Sequence, residues 1–319
     1  MSAERKYGYD QQYYDWSPIS TRSRLTWPNK NRMALCVILS VEHYEWVASN
    51  NFADGGLPGS LPEYSHKSLE LPGGVSGSGR PYPDVMSYGQ REYGKRVGIF
   101  RVMDILDNYG IRATVAIDAS TAANYPFLIK QFQQRNYEMM AHGIAVNQMI
   151  SSNMTQEEER EYIRLTIDAV TKATGSRPLG WFGPEYGESE NTVNILADEG
   201  IQYVCDWPND EQPYPMKTST GSIYSLPILL SLDDQYTHWI NKIQIDAYTK
   251  MITDSFDVLY RESADTGRMM VLNLHPWILG TPFRSKYLEI ALRHISKHDG
   301  IWNASASEIV DWHRSQTAK

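Results

Sequence analysis

The chain has 319 residues, of which 41% are hydrophobic and 21% charged, with a formal net charge of -8 and a mean hydropathy of -0.47. This composition excludes a disordered or collagen-like chain, and the length admits two average domains or one large α/β barrel. No apolar run approaches a membrane span, the first residues lack the apolar stretch of a secretory signal, and the acidic balance argues against nucleic acid, so a cytoplasmic protein with neither membrane nor nucleic-acid partners is expected.

Residues 1–30 are aromatic and polar without a clear period and read as an extended arm, lying on the domain or across a neighbouring subunit of a homo-oligomer. From Met33 to Val41 the run MALCVILSV is almost wholly apolar, as a parallel strand covered on both faces requires, and it stops at Glu42-His43. Residues 51–80 then hold seven of the 22 glycines and three prolines, which predicts a long lid or binding loop before structure resumes near Tyr93. Ile99, Val102, Met103 and Leu106 repeat at helical spacing up to Gly110. A strand ends at Asp118, a helix begins near Tyr125-Pro126, and the short strand EMMAHG ends at His142. Thr155 and Glu158 form a capping-box pattern, and Ile163, Ile167 and Val170 carry that helix to Gly175.

The alternation continues through LGWFGPEYG, a helix near Asn191 to Glu199, the strand QYVCDW and the short strand YSLPIL. Tyr248, Ile252, Phe256 and Leu259 share a face of the helix opened by Asp246. Strand MMVLNLHP ends at His275, and Leu288, Leu292 and Ile295 mark a further helix before Gly300. Repeated strand and helix over this length imply an α/β fold, a distorted barrel of about seven parallel strands within a single domain over 1–319. Cys36 and Cys205 sit in apolar runs and read as buried reduced thiols.

Reacting groups of such barrels sit at the C-terminal ends of strands. Here those ends carry Glu42-His43, Asp118, His142, Glu185, Asp206 and His275. Glycine-rich phosphate loops and a Gly-x-Ser-x-Gly elbow are absent. Asp233-Asp234 reads as a solvated acidic loop. His66 and His238 lie in loop stretches, and His294, His298 and His313 lie in or after C-terminal helices, where a cation needs no functional reason.

The order VGIFRVMDIL, MMAHG, TGSRP, WFGPEYGES, CDWPND and LNLHP resembles the polysaccharide deacetylase superfamily, with its NodB-homology fold, over about residues 33–312. Within it the chain is most similar to the branch of allantoinase-like proteins, cyclic imide hydrolases and peptidoglycan-deacetylase-like proteins. The resemblance implies an aspartate base, a second aspartate and a His-x-x-x-His pair on a divalent metal, and a late histidine acid. Glu42 takes the position of the base, His43 or Tyr44 that of the metal carboxylate, His142 that of the first histidine and His275 that of the acid. Val146 takes the second histidine's place and cannot bind metal.

The expectation is therefore an amidohydrolase of a small cyclic or N-acyl amide, with no cofactor. Glu42 serves as base, His275 as acid, and His142 orients the carbonyl or stabilises the oxyanion. Zinc is the alternative, held by His43 and His142. Trp181, Glu185, Asp206, Trp207 and Arg284 are expected substrate contacts, Arg284 through its forked donors. The rival readings are a metal-dependent N-acetyl-sugar deacetylase and a non-catalytic binding barrel.

Overall fold

The computed structural model describes residues 11–46 and 83–317. The predicted glycine-rich loop over 51–80 and His66 lie outside the described residues.

The nine residues of β1 (Met33–Val41) are all buried, and their alternation sorts them into two cores. Odd-numbered Met33, Leu35, Val37 and Leu39 pack under the helices, whereas Ala34, Cys36 and Ile38 face the barrel interior, as the two-residue period of a strand dictates. β2 (Thr114–Ile117), β3 (Glu138–Ala141), β4 (Gly180–Trp181) and β5 (Tyr203–Val204) follow in parallel on one side of β1. β7 (Ile223–Ser225) joins β5, and β6 (Tyr214–Met216) pairs antiparallel with β7. β8 (Arg268–Leu274) runs parallel on the other side of β1, and β9 (Ile301–Asn303) pairs with the start of β1.

The sheet order is β6-β7-β5-β4-β3-β2-β1-β8. A lone parallel bridge between Asp233 and Asn273 brings the segment after β7 back to β8 and narrows the remaining gap. The fold class is as expected, with two corrections. Among the described residues the sheet has nine strands, not about seven, and one strand pair is antiparallel. The extra strands are three-residue pieces, too short to carry a periodic signal.

Helices cover the outer face: α1 (Val85–Tyr93), α2 (Ile99–Asn108), α3 (Ala119–Asn124), α4 (Pro126–Gln134), α5 (Gln156–Thr174), α6 (Thr192–Asp198), α7 (Ile245–Glu262), α8 (Pro282–Ile295) and α9 (Ala306–Thr317). The capping box at Thr155 and Glu158 is formed. Among the described residues after the break, α1 begins at Val85, and one wide π-helical turn, Gly94–Gly98, joins α1 to α2.

That turn lies backbone to backbone on the segment after β8. A Cβ on Gly98 would stand 2.1 Å from the Pro276 carbonyl oxygen, and one on Gly94 2.9 Å from the Trp277 nitrogen. Only glycine permits this approach, which sets both Arg91 and His275 in place. Gly98→Ala is therefore expected to lower the urea-unfolding midpoint by a shift equivalent to about 1–3 kcal/mol, the usual cost of overpacking. An unchanged midpoint would show that the contact is loose.

The arm packs on its own barrel over the described part. Tyr13 and Tyr14 sit on Trp207 with centroids 5.5 and 5.8 Å away, and buried Trp27 donates from Nε1 to the Arg268 carbonyl at 2.8 Å. Both cysteines are free and buried. Among the described residues no helix is long and apolar enough to cross a membrane.

Candidate active site

The alternation that sorts the strands also selects the site residues. Glu42 continues the interior set of β1, His142 follows interior Met140 of β3, and His275 follows interior Met269 and Val271 of β8. Three strand ends thereby converge at the C-terminal mouth of the barrel. Glu42 Oε1 lies 3.3 Å from His275 Nε2 and 3.6 Å from His142 Nε2, and Glu42 Oε2 lies 3.5 Å from Arg91 Nε of α1. All four side chains are buried.

Burial opposes the charge of Glu42, yet the His275 charge, the facing Nε2 groups of both histidines and Arg91 together hold its carboxyl well below the usual carboxylate range. Burial likewise opposes an imidazolium at His275, and the Glu42 and Asp234 charges outweigh it, raising this pKa well above its ordinary value. His142 moves upward for the same reason, through Glu42. The site is a buried carboxylate flanked by two imidazoles whose protonated forms it favours.

Each ring is oriented from behind. His275 Nδ1 donates to Asp234 Oδ1 at 2.6 Å, and its backbone N–H donates to the same carboxylate at 3.0 Å. His142 Nδ1 donates to the Phe182 carbonyl at 2.5 Å, with the ring stacked on Phe182. A second chain supports the floor: Ser40 Oγ donates to Asn273, Asn273 Nδ2 donates to Asp233 at 2.7 Å, and Tyr186 donates to the same oxygen at 2.7 Å. The cleft lined by Glu42, His142, Phe182, Glu185, Tyr186 and His275 has a cavity volume of about 20 Å³, room for a single water.

Of the predicted substrate contacts, Glu185 lines this cleft and accepts from Gln235 at 2.7 Å. It and Tyr186 take left-handed backbone angles, φ 54° and 58°, a strain tolerated where a turn must aim side chains inward. Trp181 is no contact. It is fully buried with Tyr162 on the outer face of the sheet, and Phe182, one residue on, faces the cleft. Asp206 has the outward parity of Val204: it accepts from Gly183 N–H at 2.8 Å, and burial raises both it, to about 7, and its neighbour Glu188. Trp207 donates to Glu188 and carries the arm. Arg284 lines a separate cavity beyond Trp277. Asp118, another strand end, caps α3 through the Thr121 N–H and accepts from His43 N–H.

Three site residues lay outside the sequence expectation: Asp233, Asp234 and Arg91. The acidic pair is not a solvated loop, since both residues are almost fully buried. The run SLPILLSL before them is the same apolar-run-then-acid signal that marks Glu42.

A divalent-metal centre of the kind the resemblance implies does not fit these residues. Val146 at the second histidine position is buried and offers only its N–H, bonded to the His43 carbonyl at 2.9 Å. His43 has outward parity and sets Nδ1 3.4 Å from Lys95 Nζ, and burial with the Lys95 charge lowers its pKa to about 4. It therefore does not join His142, and one position of that ligand set remains where about three ligands are needed. Among the described residues two other groups bring potential ligand atoms close together: Asp233, Asp234 and His275, buried at the cleft but outside the ligand positions that the resemblance implies, and Asp257, His294 and His298, away from the cleft.

The family model for polysaccharide deacetylase matches residues 92–204. A Schizosaccharomyces pombe protein whose name places it among polysaccharide deacetylases is 24% identical over 307 residues, covering 89% of this chain and 90% of that protein. A Helicobacter pylori peptidoglycan deacetylase is 22% identical, over 73% of this chain and 88% of its own. The crystal structure of Puue allantoinase superposes with a TM-score of 0.79 at 24% identity, each chain fully covered, a likeness of fold.

Proposed function

We propose, from the match of residues 92–204 to the polysaccharide deacetylase family model, that the chain is a hydrolase of non-peptide carbon–nitrogen bonds and opens small cyclic or N-acyl amides with Glu42 as base and His275 as acid. The contact of one buried carboxylate with the Nε2 atoms of two histidines at the barrel mouth carries this reading. The room for a single water supports a small substrate laid across the mouth rather than swallowed.

Glu42 Oε1 takes a proton from that water as its oxygen bonds to the amide carbonyl carbon. A carboxylate held far below neutrality is a weak base, so the reactants must first loosen the Glu42–His275 contact, which restores its basicity. Negative charge gathers on the carbonyl oxygen, where His142 Nε2–H and Arg91 are buried donors without a closer hydrogen-bond partner among the described residues. His275 Nε2 gives its proton to the nitrogen as the carbon–nitrogen bond breaks. The proton on Glu42 then returns to His275 across 3.3 Å, and both groups are reset.

The second reading, an N-acetyl-sugar deacetylase, is favoured by the H. pylori relative's name and opposed by Val146 and the outward His43. A binding barrel without activity is opposed by the ion cluster, since burying such a group of charges is costly and an apolar floor would bind as well. Hydantoin, allantoin, succinimide and N-acetylglucosamine oligomers, each with and without chelator, separate the three. Chelator-resistant ring opening is expected. Chelator-sensitive acetate release identifies the sugar deacetylase, and thermal stabilisation by a ligand without turnover identifies the binder. We further propose a cytoplasmic homo-oligomer, which light scattering at two protein concentrations checks.

A further inference from the structure

Behind the catalytic wall lies a second, larger cavity of about 460 Å³, lined by Gln90, His238, Trp277 and Arg284 among others. Trp277 divides the two: its ring stands 6.2 Å from that of His275, and the Arg91 guanidinium lies 4.1 Å over it. Three buried polar atoms on this cavity's residues have no hydrogen-bond partner among the described residues: Gln90 Oε1, His238 Nε2 and Trp277 Nε1. Trp277 itself is 6% exposed. A buried polar atom left unmatched loses its hydration with no return, so three around one void point to an occupant that satisfies them.

Their chemistry describes that occupant. Trp277 Nε1–H is a donor and nothing else. The Arg284 guanidinium is half-buried, rests over the Phe283 ring at 4.7 Å, and has no acid within ion-pair distance among the described residues, Asp234 acting on it from farther away. His238 Nδ1 faces the Ile243 carbonyl at 2.8 Å and so carries the ring proton, which leaves Nε2 as an acceptor when the ring is neutral. Burial, with the Arg284 charge adding to it, lowers the His238 pKa and keeps the ring neutral. Gln90 Oε1 is a second acceptor. Two donors, one of them a cation, and two acceptors match an anionic oxygen pair next to N–H groups.

We propose that this cavity binds a small molecule carrying a carboxylate beside an amide or ureido N–H, the carboxylate on Arg284 and Trp277 and the N–H on His238 and Gln90. The assignment deepens the amidohydrolase reading if that carboxylate belongs to the substrate, and it holds equally for a separate ligand, since the recognition chemistry is shared.

N-carbamoylglycine and its neutral analogue N-carbamoylglycinamide are the probes, titrated calorimetrically into wild-type protein, Arg284→Gln and Glu42→Gln. The acid is expected to bind about tenfold or more tightly than the amide, a charge-assisted preference. Arg284→Gln removes the preference without weakening the amide, and Glu42→Gln keeps it. Because Glu42→Gln binding needs no turnover, a failed hydrolase reading leaves this result standing. Turnover of the acid by wild-type protein assigns the carboxylate to the substrate, and binding without turnover assigns it to a separate ligand. Equal affinity for the two probes, or a preference that survives Arg284→Gln, overturns the proposal.

Discussion

Glu42→Gln is expected to lower kcat by about 10²–10⁴-fold, the usual contribution of a positioned acid or base. The amide keeps the size of the carboxylate and loses its charge, so the loss reads the base and not a cavity. Stability is the needed control. Removing one member of a buried ion cluster costs about 3–5 kcal/mol when the remaining charges stay trapped. Here two of the three remaining charges are imidazolium groups whose pKa values Glu42 itself raises. Both can shed their protons, leaving Arg91 stacked on Trp277, so the unfolding midpoint at neutral pH should move less than in a cluster of fixed charges. A folded variant that keeps more than about a tenth of the wild-type rate would remove Glu42 from the role of base.

The strand-end rule makes much of this site legible in the sequence, because a polar residue closing an apolar run must leave the sheet where the barrel opens. What it does not convey is parity. Glu42 and His43 are neighbours closing the same run, as are Trp181 and Phe182, and only the side of the sheet each faces decides which one reaches the cleft. A one-residue shift exchanges core and cleft, and Trp181 was assigned to the wrong side for that reason. Asp233-Asp234 reads as a solvated loop because its segment meets the sheet through a single bridge and two adjacent acids are usual in such loops. Arg91 depends on an event with no local signature: Gly94 and Gly98 let a helix touch the backbone of a segment nearly two hundred residues away.

Asp234→Asn is the second large effect expected, and its signature is in pH. Asp234 contacts no reacting atom and is a positioning residue. It accepts from His275 Nδ1 and from the His275 backbone, so it fixes which nitrogen faces Glu42, and its charge helps to hold the ring protonated. Asparagine supplies at most the hydrogen bond. With the charge gone the imidazolium is less favoured, the His275 pKa falls, and the alkaline limb of kcat moves to lower pH.

The acidic limb changes too. Burial, opposed by His275, raises the Asp234 pKa to about 6, whereas Glu42 titrates well below the carboxylate range. In wild-type protein, activity should therefore fall first near pH 6, as Asp234 takes up a proton and ceases to hold His275. In the variant that limb should disappear, leaving only the lower one of Glu42. The same signs govern stability: the share from His275 is complete below its unfolded pKa near 6.5 and is lost as pH rises through its raised folded value, while the share from Glu42 is present above about 4.5 and is lost as pH falls through its depressed one. A pH–rate profile of wild-type protein and Asp234→Asn on one substrate tests the pair. If Asp234 only props up the loop, kcat falls evenly at every pH and neither limb moves.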